Sequence, residues 1–159
     1  MDLIASIRED AADAWLPAVY RERVRTQRTR SFDLDVPERE NLAEILHTLL
    51  GIELKVGRRR FACPDLSTAR YLLIFASLGC RRFAVPYDIT KISAAADDLW
   101  SAWQRSLLLL GSRTSQMTDR SQKLYRARLV KAIRAEVKEI GPGEPMPSFD
   151  RETRQRKRP

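Results

Sequence analysis

One histidine, His47, and two cysteines, Cys63 and Cys80, are all that this chain of 159 residues has of imidazole and thiol ligands. Three such residues cannot form a structural zinc site of the usual four-ligand kind. The sequence indicates no partner for His47, so no Ser-His-Asp or Cys-His arrangement is read here, and His47 is expected to be structural. Glycine is scarce, at six residues, and no glycine-rich phosphate loop or dinucleotide fingerprint occurs. Long apolar runs are missing as well. The longest candidate, Leu107 to Leu110, falls far short of the roughly 20 residues that a membrane span needs. The start, Met1-Asp2-Leu3, lacks the basic opening of a secretory signal and is soon followed by Glu9, Asp10 and Asp13. A cytoplasmic location without membrane contact is expected. The two cysteines bracket a predicted helix of about a dozen residues, roughly 18 Å long, which is beyond disulfide reach. Both are expected as small buried thiols.

Basic charge is what the chain has in excess, and it is unevenly placed. Residues 1–57 carry eight Lys/Arg and eleven Asp/Glu, a net −3, whereas residues 58–159 carry twenty-one and ten, a net +11. A field of that sign attracts polyanions, of which nucleic acid is the commonest inside a cell. The plainer reading is a solvated surface that keeps the protein soluble.

A four-residue string occurs twice, as Arg59-Arg60-Phe61-Ala62 and Arg81-Arg82-Phe83-Ala84. Each copy is followed by one residue and then proline, with Asp65 or Asp88 close behind. The repeat predicts two matched strands, each feeding a helix through a Pro/Asp turn, with arginine pairs at one end of both. The 17 residues between Cys63 and Arg81 are enough for a right-handed crossover helix between parallel strands.

Hydrophobic spacing predicts the remaining elements. Residues 3–25 read as a helix, kinked at Pro17, with a basic end. Residues 32–36 read as a short strand. Asp35 and Glu38 look like a capping box for a helix over 38–50, stopped by Gly51. Residues 52–56 and 59–63 alternate as strands joined through Gly57-Arg58. Asp65 caps a helix at 66–78, a strand follows at 81–85, and Asp88 caps a helix at 89–110. After a polar linker, the last helix spans about 119–140. It carries seven Lys/Arg against three acids. Trp15, Trp100 and Trp103 are expected as core anchors. The expected architecture is α/β: a small mixed sheet of three or four strands flanked by helices, with a long C-terminal helical pair. Residues 1–140 form one domain in this reading, and 141–159 a flexible basic tail with Arg151, Arg154, Arg156, Lys157 and Arg158.

Three constellations could carry chemistry. The first is a basic surface made of Arg58, Arg59, Arg60, Arg81 and Arg82, which cluster if their strands are neighbours, together with Arg120, Lys123, Lys131, Arg134 and Lys138 on the last helix. Arginine binds phosphate bidentately and stacks on bases. This surface implies a non-catalytic nucleic-acid-binding protein without a cofactor. The second is Glu53-Leu54-Lys55, whose alternation puts the carboxylate and the ammonium on one strand face. The order Ile52-Glu53-Leu54-Lys55-Val56, a basic loop, a helix ending in Leu78-Gly79, then Phe83-Ala84-Val85 resembles the second half of the PD-(D/E)xK nuclease core. That resemblance implies magnesium-dependent phosphodiester cleavage by Glu53 and Lys55, with Asp33 or Asp35 completing the metal site. The third is the pair of turns carrying Asp65, Ser67, Tyr87, Asp88 and Thr90. These would converge at the carboxyl ends of parallel strands, or the two aspartates simply cap helices. A scaffold that meets a protein partner through the helical faces at 89–110 and 119–140 is a further reading.

Overall fold

The computed structural model describes residues 2–37 and 42–144. It is an α/β protein with two antiparallel sheets and a long C-terminal helical pair. Among the described residues no helix is long and apolar enough to cross a membrane.

The first segment is broken rather than kinked. Helix α1 (Leu3–Ala11) ends where Ala12 takes φ 51°, and a single 3-10 turn follows. Pro17 does not bend a helix. It sits in the first turn of α2 (Leu16–Val19), where no intrahelical donor is needed. A π-helical turn (Tyr20–Val24) then delivers the chain to β1 (Thr29–Asp33).

Residues 43–48 correct the expected helix at 38–50. They form β2 (Ala43–Thr48), which pairs with β3 (Gly51–Val56) in full register from Ala43 opposite Val56 to Thr48 opposite Gly51. The apolar spacing at Leu42, Ile45, Leu46, Leu49 and Leu50 imitates a helix. However, Leu49 and Leu50 are fully exposed at the hairpin tip. Gly51, at φ 124°, begins β3 instead of stopping a helix. The Thr48 hydroxyl closes the turn, accepting from Leu50 N–H and donating to the Gly51 carbonyl. The expected cap partner Glu38 lies outside the described residues.

β4 (Arg59–Cys63) extends this sheet antiparallel to β3, turning through Gly57 at φ 60° as the hairpin reading requires. The inward face carries Ile45, Leu54, Val56 and Phe61 against α3 (Leu66–Ser77). Asp65 caps α3, its Oδ1 accepting from Thr68 N–H at 2.7 Å. β5 (Arg82–Pro86) does not join β4. It pairs antiparallel with β1, Ser31 standing opposite Ala84, so the expected parallel crossover is absent and there are two sheets rather than one mixed sheet. A 3-10 turn (Ile89–Lys91) leads into α4 (Ile92–Thr114), which begins three residues later and ends four residues later than expected, and Thr118 caps α5 (Asp119–Ile140). Trp15 and Trp103 are core residues, while Trp100 is 40% exposed. Cys63 and Cys80 form no disulfide; Cys80 is buried and Cys63 half-buried.

β5 is held by tyrosines on the side where a further strand would stand. A two-stranded sheet leaves the outer N–H and C=O groups of β5 needing partners. The Ala84 N–H donates to Tyr20 Oη at 2.7 Å, and Tyr71 Oη donates to the Ala84 carbonyl at 2.6 Å. Tyr20 in turn donates to the Gly141 carbonyl at 2.6 Å. On the far edge of the sheet, Ser31 N–H donates to the Glu144 carbonyl at 2.6 Å. Gly143, at φ 83°, lies so close to Thr29 that a Cβ would stand 2.6 Å from its Oγ1. Residues 141–144 are therefore packed along β1. Residues 145–159 lie outside the described part.

Burial raises the Tyr20 hydroxyl to about 12 and the Tyr71 hydroxyl well above its ordinary value. Both groups favour the protonated, folded form. Their contribution is complete below the unfolded pKa near 10 and is lost as pH rises toward the folded values. For Tyr20, two pH units amount to about 2–3 kcal/mol. Urea unfolding should show stability falling between pH 9.5 and 12, with a smaller fall in Tyr20→Phe. A flat profile over that range would contradict the buried-network account.

Candidate functional site

At 3.6 residues per turn, Arg120, Lys123, Lys131, Arg134 and Lys138 fall within a sector of α5 about 80° wide. Arg134 is half-buried and the other four side chains are exposed. The stripe runs about 27 Å along the axis at 1.5 Å per residue. Leu129, Val130, Ile133 and Val137 on the adjoining face are buried and fix the helix against the body. Glu136 is turned away from the stripe. Its Oε1 meets Arg8 Nη2 at 3.1 Å and its Oε2 accepts from Trp15 Nε1 at 3.1 Å. Helical phase thus keeps Glu136, the one acid within residues 120–138, on the opposite side of α5 from the stripe.

The stripe ends at a cleft of about 300 Å³, in which Arg134 and Lys138 are joined by Arg81 and Arg82. Gly79, at φ 74°, reverses the chain after α3 and so sets the arginine pair on this rim. Cys80, Val137 and Pro142 give the cleft an apolar floor. Two of the cations are anchored. Arg134 Nη1 donates to the Leu78 carbonyl at 3.3 Å. Arg82 Nε donates to Asp33 Oδ1 at 2.7 Å and Nη2 to Oδ2 at 3.3 Å, which raises the guanidinium above its ordinary value. Among the described residues the Arg81 and Lys138 side chains have no carboxylate partner.

The expected cluster of Arg58, Arg59 and Arg60 with Arg81 and Arg82 requires neighbouring strands, and those strands are not neighbours. Residues 33–35 link the two groups instead: Asp33 holds Arg82, and Arg59 Nη1 donates to the Asp35 carbonyl at 2.8 Å and to its Oδ2 at 3.1 Å. Asp33 and Asp35 are at most about 7 Å apart along the chain. Arg60 pairs with Glu53 at 3.5 Å. Arg58 is exposed at the β3–β4 turn.

Glu53 and Lys55 share a face of β3 as alternation requires, in a ladder of charges. Glu53 faces Arg60, and Lys55 stands 4.0 Å from Glu44. Asp33 and Asp35 are engaged by Arg82 and Arg59. Among the described residues no three His, Cys, Asp or Glu side chains gather where they could hold a metal ion. The turn residues act as caps. Asp88 Oδ1 accepts from Thr90 N–H at 3.0 Å and from its hydroxyl at 2.7 Å, which holds the Asp88 carboxyl below its ordinary value. The adjacent parallel strands that would have gathered Asp65, Ser67, Tyr87, Asp88 and Thr90 are absent. His47 sits exposed on β2, on a strand rather than a helix.

The cleft floor has no counterpart in the sequence reading, where Cys80 is a buried thiol and Pro142 part of a tail. Only the packing of residues 141–144 along β1 brings Pro142 under the arginines. Comparison of the chain with protein-family models, with curated proteins and with solved structures gives no match in any of the three.

Proposed function

We propose that the protein binds nucleic acid through the phosphate backbone. One observation carries this reading: five cations of α5 share a single narrow face, and that face ends in a cleft with Arg81 and Arg82 on its rim. A solvated surface needs no such alignment, and charges there are normally interspersed by sign. Phosphate contacts of this kind position a polyanion without reading its sequence. The basic residues from Arg151 onward add attraction of the same sign. Binding should weaken steeply with salt, because each neutralised phosphate releases condensed counterions. Anisotropy of a labelled duplex and a labelled single strand, measured at 50 and 200 mM salt, tests this. A fall in affinity of tenfold or more supports it, and salt-independent binding or none at 50 mM opposes it.

Exposed Leu108 and Leu124 on the helical pair favour the second reading, a protein partner. A partner retained after nuclease treatment, with no nucleic acid bound, would support that one instead. The magnesium-dependent cleavage implied by the E-x-K strand finds weaker support, since Asp33, Asp35 and Glu53 each face an arginine. Metal-dependent cleavage abolished in Glu53→Ala would restore it.

A further inference from the structure

Building on the nucleic-acid reading, we infer that the cleft beneath Arg81 and Arg82 receives the end of a strand, as a terminal nucleotide bearing a phosphomonoester. The stripe and the cleft differ in kind. Along α5 the cations are strung out on an open face, each suited to one diester phosphate with its single charge. In the cleft Arg81, Arg82, Arg134 and Lys138 together line about 300 Å³, and no carboxylate lines it. Asp33 offsets one of these charges from outside.

A diester presents too little charge to match the remainder. A phosphomonoester carries about −1.5 to −2 near neutral pH and three strong acceptor oxygens, which suit the Arg81 fork, the Lys138 ammonium and the remaining donors of Arg82 and Arg134. The volume agrees. It lies at the small end of ligand pockets, roughly 300–1,000 Å³, and cannot admit a double helix. The floor of Cys80, Val137 and Pro142 offers an apolar surface to the sugar or base. Lys138 belongs to both the stripe and the cleft, so a strand lying along α5 has its end directed there.

The test compares oligonucleotides of one sequence, labelled internally, that end in 5′-phosphate, 3′-phosphate or hydroxyl groups only. One phosphate end should bind about tenfold more tightly than the hydroxyl form, as one or two charge-assisted hydrogen bonds would give. Arg81→Ala and Lys138→Ala should abolish that preference. Both side chains are exposed and lack a carboxylate partner among the described residues, so the fold should survive. Lys123→Ala, outside the cleft, should weaken all three ligands alike and leave the preference intact. Equal binding of the three ligands, or a preference that survives Arg81→Ala and Lys138→Ala, overturns the inference while leaving backbone binding in place. Failure of every oligonucleotide to bind at low salt overturns both.

Discussion

Phe83→Ala should cost about 3–5 kcal/mol, the range for deleting a fully buried aromatic ring, while Phe61→Ala should cost about 1–2 kcal/mol, in keeping with partial burial. The two phenylalanines occupy the same place in the repeated string, yet their surroundings differ. Phe83 has no exposed surface, and its ring is stacked on Phe75 at 4.2 Å with 9° between the planes. Phe32 and Tyr71 close around it at 5.8 and 6.3 Å. Removing that ring opens a cavity among other rings, next to the tyrosine hydroxyls that hold Ala84. Phe61 lies on the outer strand of the other sheet and is only half-buried against α3. Urea titrations of both variants would measure the difference as a shift in midpoint at constant slope. Equal losses would show that the repeat has equivalent packing in its two copies, contrary to the structure.

That difference explains why the repeat is a partial guide. Both copies form strands, and each leads to a capping aspartate, because alternation and turn chemistry are local properties. Which strand pairs with which is a long-range property, and here it goes the other way. Nothing within residues 81–86 says that the partner is β1 rather than β4. The same division runs through the rest of the molecule. α5 is legible because a regular apolar stripe runs along it and a polar linker precedes it. β2 is not, because Leu42, Ile45, Leu46, Leu49 and Leu50 satisfy a helical period while pairing with β3 decides the outcome. The packing of residues 141–144 has no signal, since glycine and proline there suit a loose segment as well as a close approach to Thr29. At the candidate site, alignment of the cations on α5 follows from helical spacing. Their meeting with Arg81 and Arg82 depends on tertiary packing that the spacing does not encode. Asp33 and Asp35, set beside Glu53 by the nuclease resemblance, are engaged with Arg82 and Arg59.

The largest functional effect is expected from neutralising the stripe. Nonspecific nucleic-acid binding is worth roughly 5–8 kcal/mol spread over six to ten phosphate contacts, or about 1 kcal/mol per cation. Lys123→Ala, Lys131→Ala and Lys138→Ala combined should therefore weaken binding about 100-fold. Stability should change little, since exposed lysines without partners contribute little to it. The fold of the triple variant is checked by its unfolding midpoint, so impaired binding cannot be mistaken for impaired structure. A triple variant at Arg21, Arg23 and Arg105, which are exposed cations on the π-helical turn and on α4, controls for net charge alone. It should retain most of the affinity.

The most direct measurement is the slope of log affinity against log salt for a short duplex, taken in parallel for the unaltered protein and the α5 triple variant. With the backbone seated on the stripe, the variant's slope should be shallower by about 2.7, some 0.9 for each phosphate no longer neutralised, and the control variant's slope nearly unchanged. Coincident slopes for the unaltered protein and the α5 variant would place the polyanion elsewhere and contradict the account.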